Sequence, residues 1–136
     1  MHRLLVVAAG VVLAACGVDE DDRPQTLEYI TAAVLAPNCG NAQCHSSFRR
    51  VDDYAFDTIE ETRITLDVYD GLVVRGEPNE SLLYQVLVSP GGENQAPRMP
   101  YDQPLANRDI ELIFNWIEEG AEGTCPDDRI PSCEEP

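Results

Sequence analysis

Two cysteines and one histidine in the segment PNCGNAQCH (residues 37–45) have the chemistry to hold a metal cofactor covalently. Cys39 and Cys44 are separated by four residues, and His45 follows the second cysteine directly. In the c-type haem motif Cys-x-x-Cys-His, the two thiols form thioethers with the haem vinyl groups and the histidine binds iron. The spacing here is two residues longer. The segment therefore predicts a variant attachment site for one haem c, with His45 as the proximal iron ligand.

Met99 is the residue that would complete the coordination of the iron. After the first fifteen residues, the chain has one histidine, His45, and one methionine, Met99. Histidine and methionine are the axial pair of electron-transfer haems. Pro97 and Pro100 restrict the backbone around Met99, which lowers the entropy lost when a weak thioether ligand is held in place. Met99 is therefore the predicted distal iron ligand.

Arginines near these ligands are candidates to pair with haem propionates, because a guanidinium fork matches a carboxylate. Arg98 is the main candidate, and Arg49 and Arg50 are two others. Each of these residues also has an ordinary structural interpretation. The arginines could be simple surface charges, Met99 could fill the core, and His45 could lie on the surface beside a disulfide.

Other metal sites need more ligands than the sequence offers. A blue copper site uses two histidines, a cysteine and a methionine, whereas one histidine follows the first fifteen residues. A structural zinc site uses four cysteine or histidine ligands, and the segment 39–45 supplies three. The glycine patterns of dinucleotide and phosphate-binding loops do not occur.

The N-terminal residues have the pattern of an export signal. Arg3 precedes an apolar run of ten residues, 4–13, which is too short to span a bilayer. The run ends in LAACG (13–17), which resembles the bacterial lipobox. The resemblance implies a signal peptide over 1–15 and a lipid on Cys16, which would anchor the protein in the cell envelope, on the periplasmic face of a membrane or at the cell surface. The alternative is an ordinary cleaved signal in which Cys16 has no role.

The cysteine count supports this division of the chain. Export places the protein in an oxidising compartment, where free thiols are uncommon. With Cys16 lipidated, four of the five cysteines remain. Cys39 and Cys44 would hold haem, and Cys125 and Cys133 would close the acidic tail (123–136) as a disulfide. The alternative is two disulfides and no haem.

The charge of the chain is strongly acidic. From residue 16 onward there are eight arginines, no lysine and 25 acidic residues, a formal charge of −17. Such a chain will not seek nucleic acid or anionic lipid, but it could be steered to a basic redox partner protein. The alternative, which would account for most of the charge, is an ordinary solvated acidic surface. Residues 16–25 have little apolar content and are predicted to form an acidic tether.

Apolar residues at helical spacing predict a mainly α domain with about four helices and long loops. The expected helices cover 26–36, 64–74, 80–88 and 107–119, and a long loop is expected over 46–63. Because long loops in a compact domain are usually functional, this loop is expected to cover a bound group.

The order of these motifs resembles that of planctomycete-type cytochrome c domains. The resemblance is carried by GEPNESLLY (76–84), RMP (98–100), PL (104–105) and an Ile-x-x-Ile-x-x-Trp-Ile-x-x-Gly-Ala pattern (110–121). It implies a small class I-like cytochrome c fold over 26–122 with Met99 as sixth ligand. It also implies single-electron transfer, so a carrier is favoured over an enzyme because both axial positions are filled. The alternatives are a haem-free, disulfide-stapled binding or structural lipoprotein that keeps these helices and, if Met99 is displaced, a haem enzyme such as a peroxidase.

Overall fold

The computed structural model of the protein describes residues 21–93 and 95–124. Four helices and no strand occur in these ranges, which confirms the prediction of a small, mainly α domain. Helix α1 has three consecutive pieces, Leu27–Ile30, Thr31–Leu35 and Ala36–Asn38; α2 is Ile59–Val68, α3 is Leu82–Val88 and α4 is Asn107–Glu118. Short 3-10 turns lie at Val51–Asp53 and Pro78–Glu80. The predicted signal peptide, lipidation site Cys16 and tail cysteines Cys125 and Cys133 lie outside the described residues.

None of the helices described here has the length and apolar character that crossing a membrane requires. Of the expected tether, residues 21–25 are described, and they contact the folded domain. The Arg23 guanidinium pairs with the Asp109 carboxylate (2.6 Å) and donates to the Arg108 carbonyl (2.7 Å), both in α4. Arg23 therefore connects the segment that precedes α1 to α4.

The middle of α1 is a π-helical turn, which explains why α1 extends beyond the expected end at residue 36. The Ala36 N–H donates to the carbonyl of Thr31, five residues earlier. A proline inside an α-helix lacks the donor N–H, and its ring clashes with the carbonyl four residues before it. The wider turn at Thr31–Leu35 lets the chain pass through Pro37, and the helix ends at Asn38.

Helix α2 begins earlier than the apolar spacing predicted, at Ile59 rather than near residue 64. The Thr58 hydroxyl accepts a hydrogen bond from the Glu61 N–H, which is the usual N-terminal cap of a helix. Glu60 and Glu61 place acidic groups in the first turn, where the helix dipole favours them. The cap and the charges therefore decide the start of this helix, and the expected loop is correspondingly shorter.

The core is formed mainly by α1 and α4, with α3 and the turn before it completing one side. Its largest fully buried side chains include Leu27, Ile30, Leu35, Leu112, Ile113, Trp116 and Ile117. The Glu122 carbonyl accepts hydrogen bonds from the Leu27 N–H (3.1 Å) and from the Trp116 indole N–H (3.0 Å). This carbonyl thus ties the start of α1 to α4 and satisfies the buried indole.

Candidate functional site

Four of the residues that line the candidate site are shared by two neighbouring cavities of about 210 and 480 Å³. Cys39, His45, Asp52 and Met99 line both cavities, and Cys44 lines the larger one. The larger volume is within the range of about 300–1,000 Å³ found for small-molecule and cofactor sites. The structure therefore brings together the two cysteines, the histidine and the methionine that the sequence singled out.

The smaller cavity has a largely apolar wall. Its lining includes side chains from the segment after the cysteine motif, from the connection that follows α2 and from α3: Tyr54, Phe56, Leu72, Leu82, Leu83, Val86 and Leu87. Another cavity, of about 300 Å³, is lined by Asp67, Asp70 and Arg75 and by none of the residues predicted to bind haem. The cysteines, the histidine and the methionine predicted to bind haem therefore line the first pair of cavities and not this one.

His45 is held in one ring tautomer by a backbone carbonyl. Its Nδ1 lies 2.8 Å from the carbonyl oxygen of Val51. Because a carbonyl can only accept, Nδ1 carries the proton, and a neutral ring then has an unprotonated Nε2. The rings of Tyr54 and Phe56 pack around the imidazole at centroid distances of 5.7 and 5.8 Å. This is the arrangement in which a histidine presents Nε2 to a metal while its other nitrogen is fixed by a second hydrogen bond.

The longer cysteine spacing is taken up by a backbone loop. The His45 N–H donates to the Cys39 carbonyl (3.0 Å), and the Cys44 N–H donates to the Asn41 carbonyl (3.0 Å). The loop fits tightly against the chain beyond it, since a Cβ on Gly40 would lie 2.7 Å from the Cα and N of Asp57. The backbones of Cys39 and His45 therefore remain hydrogen-bonded to each other, and the additional residues form the loop between them.

The two thiols of the motif have different environments. Both are free; Cys39 is buried and Cys44 is partly exposed. Burial, with a smaller contribution from the neighbouring Cys44, raises the pKa of Cys39 to about 12. Cys39 is therefore a neutral thiol at physiological pH, and the thiolate, which is the reactive form of cysteine, is rare there.

Met99 is anchored through its backbone to α3. Its N–H donates to the Val86 carbonyl (2.8 Å), and Val86 also lines the smaller cavity. Nearby, the Ser89 hydroxyl donates to the Ala96 carbonyl, which fixes the loop that leads to Met99. The proline-bounded loop predicted from the sequence thus has specific attachments that the sequence alone did not reveal.

The arginines predicted as propionate partners have different surroundings. Arg98 Nε is buried and has no hydrogen-bond partner within 21–93 and 95–124. Arg98 follows Pro97 and precedes Met99, which both line the smaller cavity, but it is not among the residues found to line either one. Arg50 pairs with Glu61 of α2, so its guanidinium already has a carboxylate partner.

The loop 46–63, expected from the sequence to cover a bound group, contributes Val51, Asp52 and Tyr54 to the cavity walls, but the sequence assigned none of the three an individual role. Asp52 lines both cavities and has a left-handed backbone conformation (φ 54°). Residue spacing predicts neither of these features. Asn and Asp tolerate this conformation better than other non-glycine residues, so the Asp-Asp pair at 52–53 is the only available sequence signal. In the described residues, no three His, Cys, Asp or Glu side chains are grouped closely enough to hold a bare metal ion.

Comparisons with protein-family models, with curated proteins and with solved structures found no match to this chain.

Proposed function

We propose that this protein binds one haem c in the paired cavities and carries single electrons, as its resemblance to planctomycete-type cytochrome c domains implies. The observation that supports this most is the environment of His45. Its Nδ1 proton is held by Val51, and its free Nε2 and the Met99 side chain belong to residues that line the same cavities. Histidine and methionine are the axial ligands of electron-transfer haems.

Each residue of the site has a distinct role in this proposal. His45, oriented by Val51, would bind the iron as proximal ligand, and Met99, held by Val86, would bind it as distal ligand. When bound, haem supplies the ferric–ferrous couple. The apolar wall excludes water, and burial together with a methionine ligand favours a relatively high reduction potential. Since neither ligand has to leave, substrate chemistry at the iron is not expected.

Cys39 and Cys44 would form the covalent link. In thioether formation each thiol sulfur bonds to a vinyl carbon and its proton is added to the neighbouring carbon, so no oxidant or reductant is consumed. Neither thiol forms a disulfide in the structure. Arg98 is the proposed partner of a propionate, because its buried Nε lacks a protein partner in the described part of the chain.

The location and partners are proposed from the sequence pattern and the charge. A lipid on Cys16 would hold the domain at a membrane of the cell envelope. A basic redox protein is the proposed partner, because opposite charge speeds encounter, and nucleic acid is not expected. Cys125 and Cys133 are proposed to form the disulfide of the tail.

Intact mass spectrometry tests the proposal directly. The protein is expressed with a cytochrome c maturation system and treated with reductant, which opens disulfides but leaves thioethers intact. The expected result is one retained haem, and an absorption band of the ferric protein that disappears in Met99→Ala. A haem-free mass with free thiols at Cys39, Cys44, Cys125 and Cys133 would contradict the proposal. It would instead favour the disulfide-stapled lipoprotein.

A further inference from the structure

The segment that holds the Nδ1 proton of His45 is attached to helix α2 by an ion pair. Val51 supplies the accepting carbonyl, and the guanidinium of Arg50, the residue before it, pairs with the Glu61 carboxylate in the first turn of α2. We infer that Arg50 and Glu61 are positioning residues, which fix the ring tautomer of His45 through the backbone of Val51. This inference concerns the same site as the proposed function, and one of its two readouts rests on that function.

Val51 contacts the haem-attachment motif through both of its backbone groups. Its carbonyl accepts the His45 Nδ1 proton (2.8 Å), and its N–H donates to the Cys44 carbonyl (3.2 Å). The preceding Arg50 N–H donates to the Ser46 carbonyl (2.9 Å). A change in the backbone of residues 50–53 would therefore be transmitted directly to the imidazole.

The backbone of this segment is strained and needs contacts that hold it. Arg50, Asp52 and Asp53 all have left-handed conformations, with φ of 46°, 54° and 65°. Residues other than glycine rarely adopt such conformations, and they persist only where the surrounding structure imposes them. Within the described chain, Arg50 is the member of this segment whose side chain forms an ion pair. That pair connects the strained segment to a capped, regular helix.

The tautomer matters because it decides which ring nitrogen can bind a metal. A neutral imidazole has one proton, so the proton on Nδ1 leaves the lone pair of Nε2 available. If the segment relaxes and the Val51 carbonyl moves away, the proton is free to shift to Nε2. The Arg50–Glu61 pair thus acts on the iron ligand although neither side chain belongs to the residues that line the cavities.

The first test measures the ring nitrogens of His45 by ¹⁵N NMR in the full expressed chain. The sequence has two histidines, His2 and His45, so assignment is direct. The wild-type protein is expected to show a protonated Nδ1 and an unprotonated Nε2. In Glu61→Gln and in Arg50→Gln the two shifts should move together toward those of a ring that exchanges between tautomers. Because the two residues act as one pair, the double variant should show no larger change than either single variant.

The control is the matched ion pair Arg63–Glu28, which connects the same helix α2 to α1. Glu28→Gln removes a carboxylate of the same size and should leave the His45 shifts unchanged. Circular dichroism establishes that each variant keeps its helices. Folded Glu61→Gln and Arg50→Gln proteins with wild-type His45 shifts, or shifts that move equally in Glu28→Gln, would overturn the inference.

The second test uses the reduction potential of the haem-loaded protein. A hydrogen bond at Nδ1 makes the histidine a stronger donor to the metal and so favours the oxidised state, and weakening the bond should raise the potential. Glu61→Gln and Arg50→Gln change the net charge in opposite directions, so a simple charge effect would shift the potential in opposite directions. A rise in both variants supports the inference, and opposite shifts contradict it. If the wild-type protein contains no haem, the proposed function fails while the NMR test still decides the positioning role.

Discussion

Gly40 is the position at which a single methyl group should most directly disturb the site. In Gly40→Ala the new Cβ would lie 2.7 Å from both the Cα and the N of Asp57, and 2.8 Å from the carbonyl carbon of Phe56. These are backbone atoms, which cannot rotate away as the end of a side chain can. The cysteine loop and the segment 56–57 must therefore move apart. That movement would pull on the hydrogen bond from the Phe56 N–H to the His45 carbonyl (2.7 Å).

The size of the effect follows from two opposing terms. Adding a methyl group to a closely packed site costs about 1–3 kcal/mol, and a clash with backbone places the cost in the upper half of that range. Replacing glycine also restricts the unfolded chain, which returns about 0.4–1 kcal/mol. The expected net loss in the free energy of unfolding is about 1–2.5 kcal/mol. In a domain of this size each kcal/mol corresponds to a decrease of about 4–8 °C in Tm.

Urea denaturation followed by circular dichroism measures the loss in wild-type, Gly40→Ala and control proteins. The control is Ala42→Ser, a substitution at an exposed position of the same loop that should change stability by no more than about 0.5 kcal/mol. A Gly40→Ala protein as stable as the wild type would refute the close approach of the loop to Asp57. The account of how the longer cysteine spacing is accommodated would then fail with it.

Three further outcomes are expected from the buried and hydrogen-bonded groups of the domain. In haem-free protein, iodoacetamide should modify Cys44 well before Cys39, because Cys39 is buried and its pKa is raised to about 12. Peptide mass mapping over time measures the order of modification, and equal rates for the two cysteines would contradict the prediction. Partial burial raises the pKa of Asp57, but the hydrogen bonds to its carboxylate from the Ser47 N–H and hydroxyl outweigh this and lower it overall. A group with a lowered folded-state pKa stabilises the fold above its unfolded pKa, so the contribution of Asp57 should be lost as pH falls below about 4. In urea titrations at several pH values, Asp57→Asn should therefore lose less free energy of unfolding on acidification than the wild type. Thr65→Val should lower the free energy of unfolding by about 1–3 kcal/mol in the same assay, because the buried Thr65 hydroxyl accepts a hydrogen bond from the Ala55 N–H and donates one to the Ala55 carbonyl (3.0 Å each). An unchanged stability would show that Ala55 finds other partners.

The helix that the sequence predicted best is α4, and the reason is its strong period. Apolar residues at 110, 113, 114 and 117 recur at helical spacing, and the observed helix is Asn107–Glu118. Its buried face is formed by Leu112, Ile113, Trp116 and Ile117, whereas Ile110 and Phe114 are partly exposed. Helix α2 was misplaced by several residues because its start depends on the hydroxyl of Thr58 and its acidic first turn, while its apolar pattern is weak. Local chemistry decided that boundary, and hydrophobic periodicity could not show it.

The candidate site was predicted where residue type alone carried the chemistry. Cys39, Cys44, His45 and Met99 could be selected because they are rare and ordered along the chain, and the structure places all four around the paired cavities. Val51 was missed because it acts through its carbonyl, which every residue possesses. Backbone groups acquire a specific role only when the fold places them, so such contributions lie beyond what a single sequence can show.

The burial of Cys39 also sets an order of events for the proposed haem attachment. Cys39 lies at the end of α1 behind the loop that packs against Asp57, and its thiol is protonated at physiological pH. Cys44 lies nearer the solvent on the larger cavity. Residues 50–57 cover the motif from the other side, where the Val51 N–H donates to the Cys44 carbonyl and the Phe56 N–H donates to the His45 carbonyl. If haem is attached as proposed, Cys44 is therefore the more accessible of the two thiols, and the buried thiol of Cys39 has to become exposed before its sulfur can react.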